Sequence, residues 1–119
     1  MYRIAVLAEE ETEGQRYAAQ IRQFCSSRGI FPQIIQYDDP ERFFENLPKD
    51  VPTNAVIALS GVMGLNTAER LHALCPACRI IWCSDLDFSL HAFRLRADYF
   101  LLQPVSEEAF RQGLCAWLT

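Results

Sequence analysis

Lysine is nearly absent from this 119-residue chain: Lys49 is the single one, the eleven basic residues are scattered, and the net charge is -4. Contacts to nucleic-acid phosphates need concentrated positive charge, so direct DNA or RNA contact by this piece is not expected. Long hydrophobic runs are also missing. The longest apolar stretches are strand-sized, which leaves no candidate membrane span. The first residues enter a strand-like run without the basic, apolar and small-residue order of a signal peptide. No glycine-rich phosphate loop follows that run, and Leu7-Ala8-Glu9-Glu10 would repel a phosphate. That absence counts against a small flavodoxin-like enzyme or cofactor protein. One further gap bears on function. No Asp or Glu occurs between Asp50 and Glu69, so the apolar run Ala55-Val56-Ile57-Ala58-Leu59 ends at Ser60-Gly61 without an acid.

What is present fits one compact domain spanning residues 1–119, with 50% hydrophobic and 22% charged residues. Five cysteines, an odd number outside a small-scaffold composition, point to reduced thiols and a cytoplasmic protein. Strand-like and helix-like segments alternate along the chain. Tyr2 to Ala8, Phe31 to Tyr37, Asn54 to Leu59, Arg79 to Cys83 and Tyr99 to Leu102 read as strands. Helical spacing runs from Glu11 to Arg28 through Tyr17, Ala18, Ile21, Phe24 and Cys25, and stops at Gly29. Asp38 or Asp39 can cap a second helix with Pro40 in its first turn. A third is expected from Asn66 to Leu74. A fourth is expected from Asp87 to Arg96, with Leu90 and Phe93 on its buried side. Ser106 caps the last, whose first turn holds Glu107 and Glu108. Five βα units predict an α/β fold, a doubly wound parallel five-stranded sheet with helices on both faces. Its functional crevice lies beyond the carboxyl ends of the strands, at Ala8-Glu9-Glu10, Leu59-Ser60, Cys83-Ser84 and Gln103.

Three stretches carry a resemblance. Residues 91–110, HAFRLRADYFLLQPVSEEAF, resemble the segment around the fourth helix and fifth strand of response-regulator receiver domains that precede LytTR-type DNA-binding domains. The step Leu101-Leu102-Gln103-Pro104-Val105-Ser106 is similar to their Leu-Leu-Lys-Pro run. IAVLAEEE resembles the family's opening strand and acidic pair, and VMGLN the Met-Pro-Gly loop after the phosphorylation site. The resemblance implies the flavodoxin-like strand order 2-1-3-4-5 and a module of two-component signal transduction that is not an enzyme.

Receivers use two carboxylates after the first strand to hold Mg²⁺, and an Asp ending the third to accept a phosphoryl group. A hydroxyl ending the fourth strand and a Lys after the fifth engage the phosphoryl oxygens. Carried over residue by residue, the acidic positions fall on Ala8, Glu9 and Glu10, or on Glu9 and Glu10 as the pair. The acceptor position falls on Leu59, or on Ser60 in a shifted register, and neither forms an acyl phosphate. The hydroxyl position is Cys83 or Ser84, and the lysine position is the neutral Gln103. The expectation is a degenerate receiver that lacks acceptor and lysine, holds one dominant conformation, needs no cofactor and works through protein contacts. The alternative is an atypical Mg²⁺-binding phosphoreceiver built on Glu9 and Glu10, against a solvated acidic helix start at Glu9, Glu10, Glu11 and Glu13.

The remaining candidates are weaker. Cys75-Pro76-Ala77-Cys78 has redox spacing, but it follows a helix, and the helix N-terminus that lowers a thiol pKa is at the other end. With His72 and Cys83 it could hold zinc, without a second matched Cys pair. Cys25 and Cys115 read as packing residues, and His91 as a surface or half-buried histidine. The face of the fourth helix, fifth strand and fifth helix, where receivers dimerise or meet output domains, is expected to display Asp87, His91, Arg94, Arg96, Asp98 and Tyr99. Mixed charges suit an isologous homodimer contact. Trp117, two residues from the end, suggests the N-terminal part of a longer regulator with a DNA-binding output domain.

Overall fold

Every second residue of the central strands faces the same helix layer, and two separate cores result. The computed structural model describes residues 2–118. In chain order the elements are β1 (Arg3–Ala8), α1 (Glu11–Ser26), β2 (Gln33–Tyr37), α2 (Pro40–Asn46), β3 (Asn54–Ala58), α3 (Gly61–Leu74), β4 (Arg79–Ser84), α4 (Ser89–Leu95), β5 (Tyr99–Leu102) and α5 (Glu107–Trp117). All strand pairings are parallel, as the βα alternation predicts, in the order β2-β1-β3-β4-β5 that the resemblance to receivers implies.

On one face Ile4, Val6, Val56, Ile81, Cys83 and Leu101 meet Tyr17, Ile21, Phe24 and Cys25 of α1 and Phe110, Leu114 and Trp117 of α5. On the other, Ala5, Leu7, Ile57, Leu59, Ile80 and Trp82 meet Phe43 and Phe44 of α2, Ala68 and Leu71 of α3, and Ala92 of α4. A parallel sheet covered on both sides explains the near-continuous apolar strands. Asp39 caps α2 by accepting from the Glu41 amide at 3.0 Å, and Ser106 caps α5 by accepting from the Ala109 amide at 3.1 Å. At the amino end of β4, the Arg79 guanidinium donates to the carbonyls of Trp117 and Ala116 at 2.6 and 2.8 Å. A cation there suits the carboxyl end of α5.

Two helices differ from their expected form. The segment VMGLN is not a loop, because α3 starts at Gly61 and runs through it. Two glycines hid that start, since glycine weakens a helix pattern. Gly61, at φ +59°, makes the turn from β3, and Gly64 sits where an added Cβ would come within 2.2 Å of the Leu59 carbonyl oxygen. The second difference is the buried side of α4. Leu90 and Phe93 are 60% and 81% exposed, whereas Ala92 is buried. Phe88, Ala92 and Leu95 form an i, i+4, i+7 stripe that competes with Leu86, Leu90 and Phe93. The first stripe wins because the Phe88 ring stacks on Trp82, with centroids 5.4 Å apart and planes 12° apart.

Candidate functional site

The carboxyl ends of β1, β3 and β5 surround a cavity of about 630 Å³, lined by Glu9, Glu10, Glu13, Arg16, Ser60 and Gln103 among others. Its floor includes Ala58, not Leu59. Strand alternation explains this: Ala58 faces the α1–α5 side, and Leu59, fully buried, points into the α2–α3–α4 core. Ala8 is buried beneath the same layer as Ala58, and the two are register partners. No acid on β3 reaches the cavity.

The acidic residues divide between two tasks. Glu9 reaches across to the start of α3, where one carboxylate oxygen, Oε1, accepts from the Ser60 amide and from the Ser60 hydroxyl, the latter at 2.6 Å. Glu10 is exposed at the N-terminus of α1 and makes no side-chain cap there. Glu13 turns inward. Its Oε2 accepts from Gln103 Nε2 at 2.8 Å and from the Tyr17 hydroxyl at 3.4 Å. Burial pushes the Glu13 carboxyl above its ordinary value, opposed by the Tyr17 hydrogen bond and by Arg16. Burial also raises the Tyr17 phenol, helped by neighbouring Cys83 and Glu13. The inner wall thus disfavours negative charge, and the lining as a whole carries three carboxylates, Glu9, Glu10 and Glu13, against the single cation Arg16. A phosphoryl group is poorly served there.

At β4 the two alternatives separate. Cys83 is buried in the α1–α5 core and its thiol is pushed up to about 12, mainly by burial. Ser84 ends the strand, and its hydroxyl oxygen accepts from the Leu86 amide at 3.2 Å and lies 3.4 Å from Asp85 Oδ1. That Asp85 oxygen also accepts from the Gly61 amide at 2.8 Å. Arg16 and Asp85 were not singled out by sequence, Glu13 was read only as part of the acidic start of the helix, and Tyr17 only as a residue of its apolar face. The usable signals were the Glu13-to-Tyr17 spacing of four on one helix and the position of Asp85 directly after the Ser84 strand end.

Mg²⁺ demands near-octahedral oxygen ligation, through one or two carboxylates with water and phosphate. Glu9 is engaged with Ser60, and Ala58 and Leu59 stand where β3 would have to supply an oxygen, so the residues present do not fit that ion. Among the described residues no group of three or more His, Cys, Asp or Glu could hold a metal. Cys83 lies across the sheet from Cys75 and Cys78, so the possible zinc set is not assembled. Cys75 caps the carboxyl end of α3, and burial lifts the Cys78 thiol to about 12, with Cys75 and Asp98 adding to the effect. Both features oppose a reactive pair. Cys25 is buried and Cys115 half-buried, as packing residues would be.

The expected contact face is partly used up. Asp98 accepts from Arg79 Nε at 3.1 Å and from the Ile80 amide at 2.8 Å. Tyr99 packs against the α1–α5 core. Asp87, Arg94 and Arg96 remain exposed, and His91 is half-buried with its ring 5.5 Å from Phe88. Beside these charges, Leu86, Leu90, Phe93 and Leu102 are exposed as well. Among the described residues no helix is long and apolar enough to cross a membrane.

The chain matches no protein-family model and no curated protein sequence. Among solved structures it is similar over 99% of its length to the BeF3-activated receiver domain of DrrB, covering 97% of that chain, with a TM-score of 0.76 at 17% identity. A second similar structure is the longer DrrB response regulator, an OmpR/PhoB homolog of Thermotoga maritima, with a TM-score of 0.78 at 16% identity. There the match covers 99% of this chain and 52% of that one. A third is an orphan response regulator of H. pylori, with a TM-score of 0.74 at 17% identity over 99% of this chain and 97% of that one. The fold is therefore the flavodoxin-like fold of response-regulator receiver domains.

Proposed function

We propose that this chain is a non-catalytic pseudo-receiver of two-component signalling, which acts through protein contacts and not through an acyl phosphate. One observation carries the reading. Where β3 meets the cavity, the side chain directed inward is the methyl of Ala58, and the next residue, Leu59, is buried on the far side of the sheet. An acyl phosphate requires a carboxylate, and none is within the stretch 51–68. Gln103, neutral at the lysine position, is already engaged by Glu13.

The Leu101 to Ser106 step supports kinship with receivers of LytTR-type regulators, and the half-length match to DrrB suits the N-terminal part of a longer, cytoplasmic transcription regulator. A DNA-binding output domain would then supply the nucleic-acid contact that this acidic domain does not make. Contacts run through the face of α4 and β5, where apolar Leu90 and Phe93 are flanked by Asp87, Arg94 and Arg96. An apolar centre with charges of both signs around it fits a second copy of the same patch.

The test is incubation with acetyl phosphate and Mg²⁺, followed by intact-mass spectrometry. Unchanged mass is expected. A hydroxylamine-sensitive phosphoryl adduct would show that a carboxylate elsewhere accepts the group, and the reading would fail.

A further inference from the structure

The first amides of α3 are bound by carboxylates from two other loops. A helix begins with amide groups that lack intrahelical partners, and a side chain at the N-cap usually satisfies one of them. Ser60, the N-cap of α3, makes no such bond. Its hydroxyl is committed to Glu9 of the β1–α1 loop, which also takes the Ser60 amide. The next amide, that of Gly61, is taken by Asp85 of the β4–α4 loop, and the positive φ of Gly61 belongs to this turn. Asp85 also lies against the Ser84 hydroxyl, which in turn accepts from the Leu86 amide. Carboxylates suit this place twice over: charge strengthens each hydrogen bond, and the helix dipole favours an anion at its N-terminus.

We infer that Glu9 and Asp85 form a built-in anionic clasp, which ties the loops after β1, β3 and β4 into one arrangement without any transferred phosphoryl group. The inference rests on the reading above, that this domain is not phosphorylated, and deepens it by naming what holds the pocket in place. The clasp uses both carboxylates at once. Glu9 grips the N-cap residue from one side and Asp85 grips the first helical residue from the other, so removing either loosens the start of α3. Because Glu9 is spent on this contact, it is also withdrawn from cation binding. The two halves are bonds from different loops to adjacent amides, so each can be removed by its own substitution.

The experiment is amide hydrogen exchange by NMR on the 119-residue chain and on Glu9→Ala and Asp85→Ala. In the unsubstituted chain the Ser60 and Gly61 amides are expected to be protected. Glu9→Ala should speed exchange at Ser60, and Asp85→Ala at Gly61, each by about tenfold or more, as expected for loss of a charge-assisted bond. Each substitution should also shift the amide resonances of the partner loop, at Asp85 and Leu86 for Glu9→Ala and at Glu9 and Glu10 for Asp85→Ala. The milder Glu9→Gln and Asp85→Asn, which keep shape and an acceptor oxygen, give the same readout with smaller changes if an alanine variant fails to fold. Unprotected Ser60 and Gly61 amides in the unsubstituted chain, or shifts confined to the substituted loop, would overturn the clasp. Beryllofluoride added to the unsubstituted chain separates the two ideas: binding there defeats the phosphorylation reading and leaves the exchange result to judge the clasp alone.

Discussion

Gln103 Nε2 donates to Glu13 Oε2 at 2.8 Å, joining the end of β5 to the first turn of α1 across the floor of the cavity. The pair holds a carboxylate where burial opposes its charge, and the folded-state pKa of Glu13 is raised above the ordinary 4.5. Between those two values the folded chain binds the proton more tightly than the unfolded chain. Stability from this group is therefore present at low pH and lost as pH rises through the folded pKa. The expected outcome concerns the difference in melting temperature between the natural chain and Glu13→Gln, measured from pH 4 upward. It should move in favour of the variant as pH rises above about 4.5 and then level off. Parallel profiles would mean that burial does not perturb Glu13.

Gly64 gives a test of how α3 is seated. An alanine in a helix interior ordinarily gains stability over glycine, by about 1 kcal/mol. Here the added methyl would meet the Leu59 carbonyl at 2.2 Å, backbone against which α3 cannot slip without moving β3. Gly64→Ala is expected to destabilise by roughly 1–3 kcal/mol in urea unfolding. Gly113→Ala is the control. Its nearest contact is Tyr99 Cδ2 at 3.3 Å, a side chain that can give way, and its cost should be clearly smaller.

Leu90 and Phe93 contribute little to the core, being 60% and 81% exposed on α4. Leu90→Glu with Phe93→Glu should leave unfolding stability within about 0.5 kcal/mol per site, as for surface positions. Sedimentation velocity is expected to show the natural chain self-associating as concentration rises and the double variant remaining monomeric. A natural chain that stays monomeric throughout would remove the second copy as the partner of this face.

Strands and most helices were legible because their signals are periodic and local: Ser106 and Asp39 cap the helices that sequence placed there, and β5 has its expected limits; the strand order came only with the resemblance to receiver domains. The start of α3 was not legible, since Gly61 and Gly64 are poor helix formers and the groups that bind its first amides, Glu9 and Asp85, are 51 and 24 residues away in sequence. The face of α4 misled for a different reason. In a seven-residue helix two stripes have equally helical spacing, and only the Trp82 ring, brought by β4, selects Phe88 over Phe93. The cavity itself was half legible. Its strand-end positions followed from topology, but the inward turn of Glu13 depends on Gln103, 90 residues away.

The most direct test of the central claim is an amide NMR titration with Mg²⁺, followed by beryllofluoride, the mimic of an acyl phosphate on Asp. The pseudo-receiver account predicts no saturable shifts at Ala8, Leu59, Ser84 and Gln103 in either step. Specific, saturable shifts at those residues on adding beryllofluoride would contradict it.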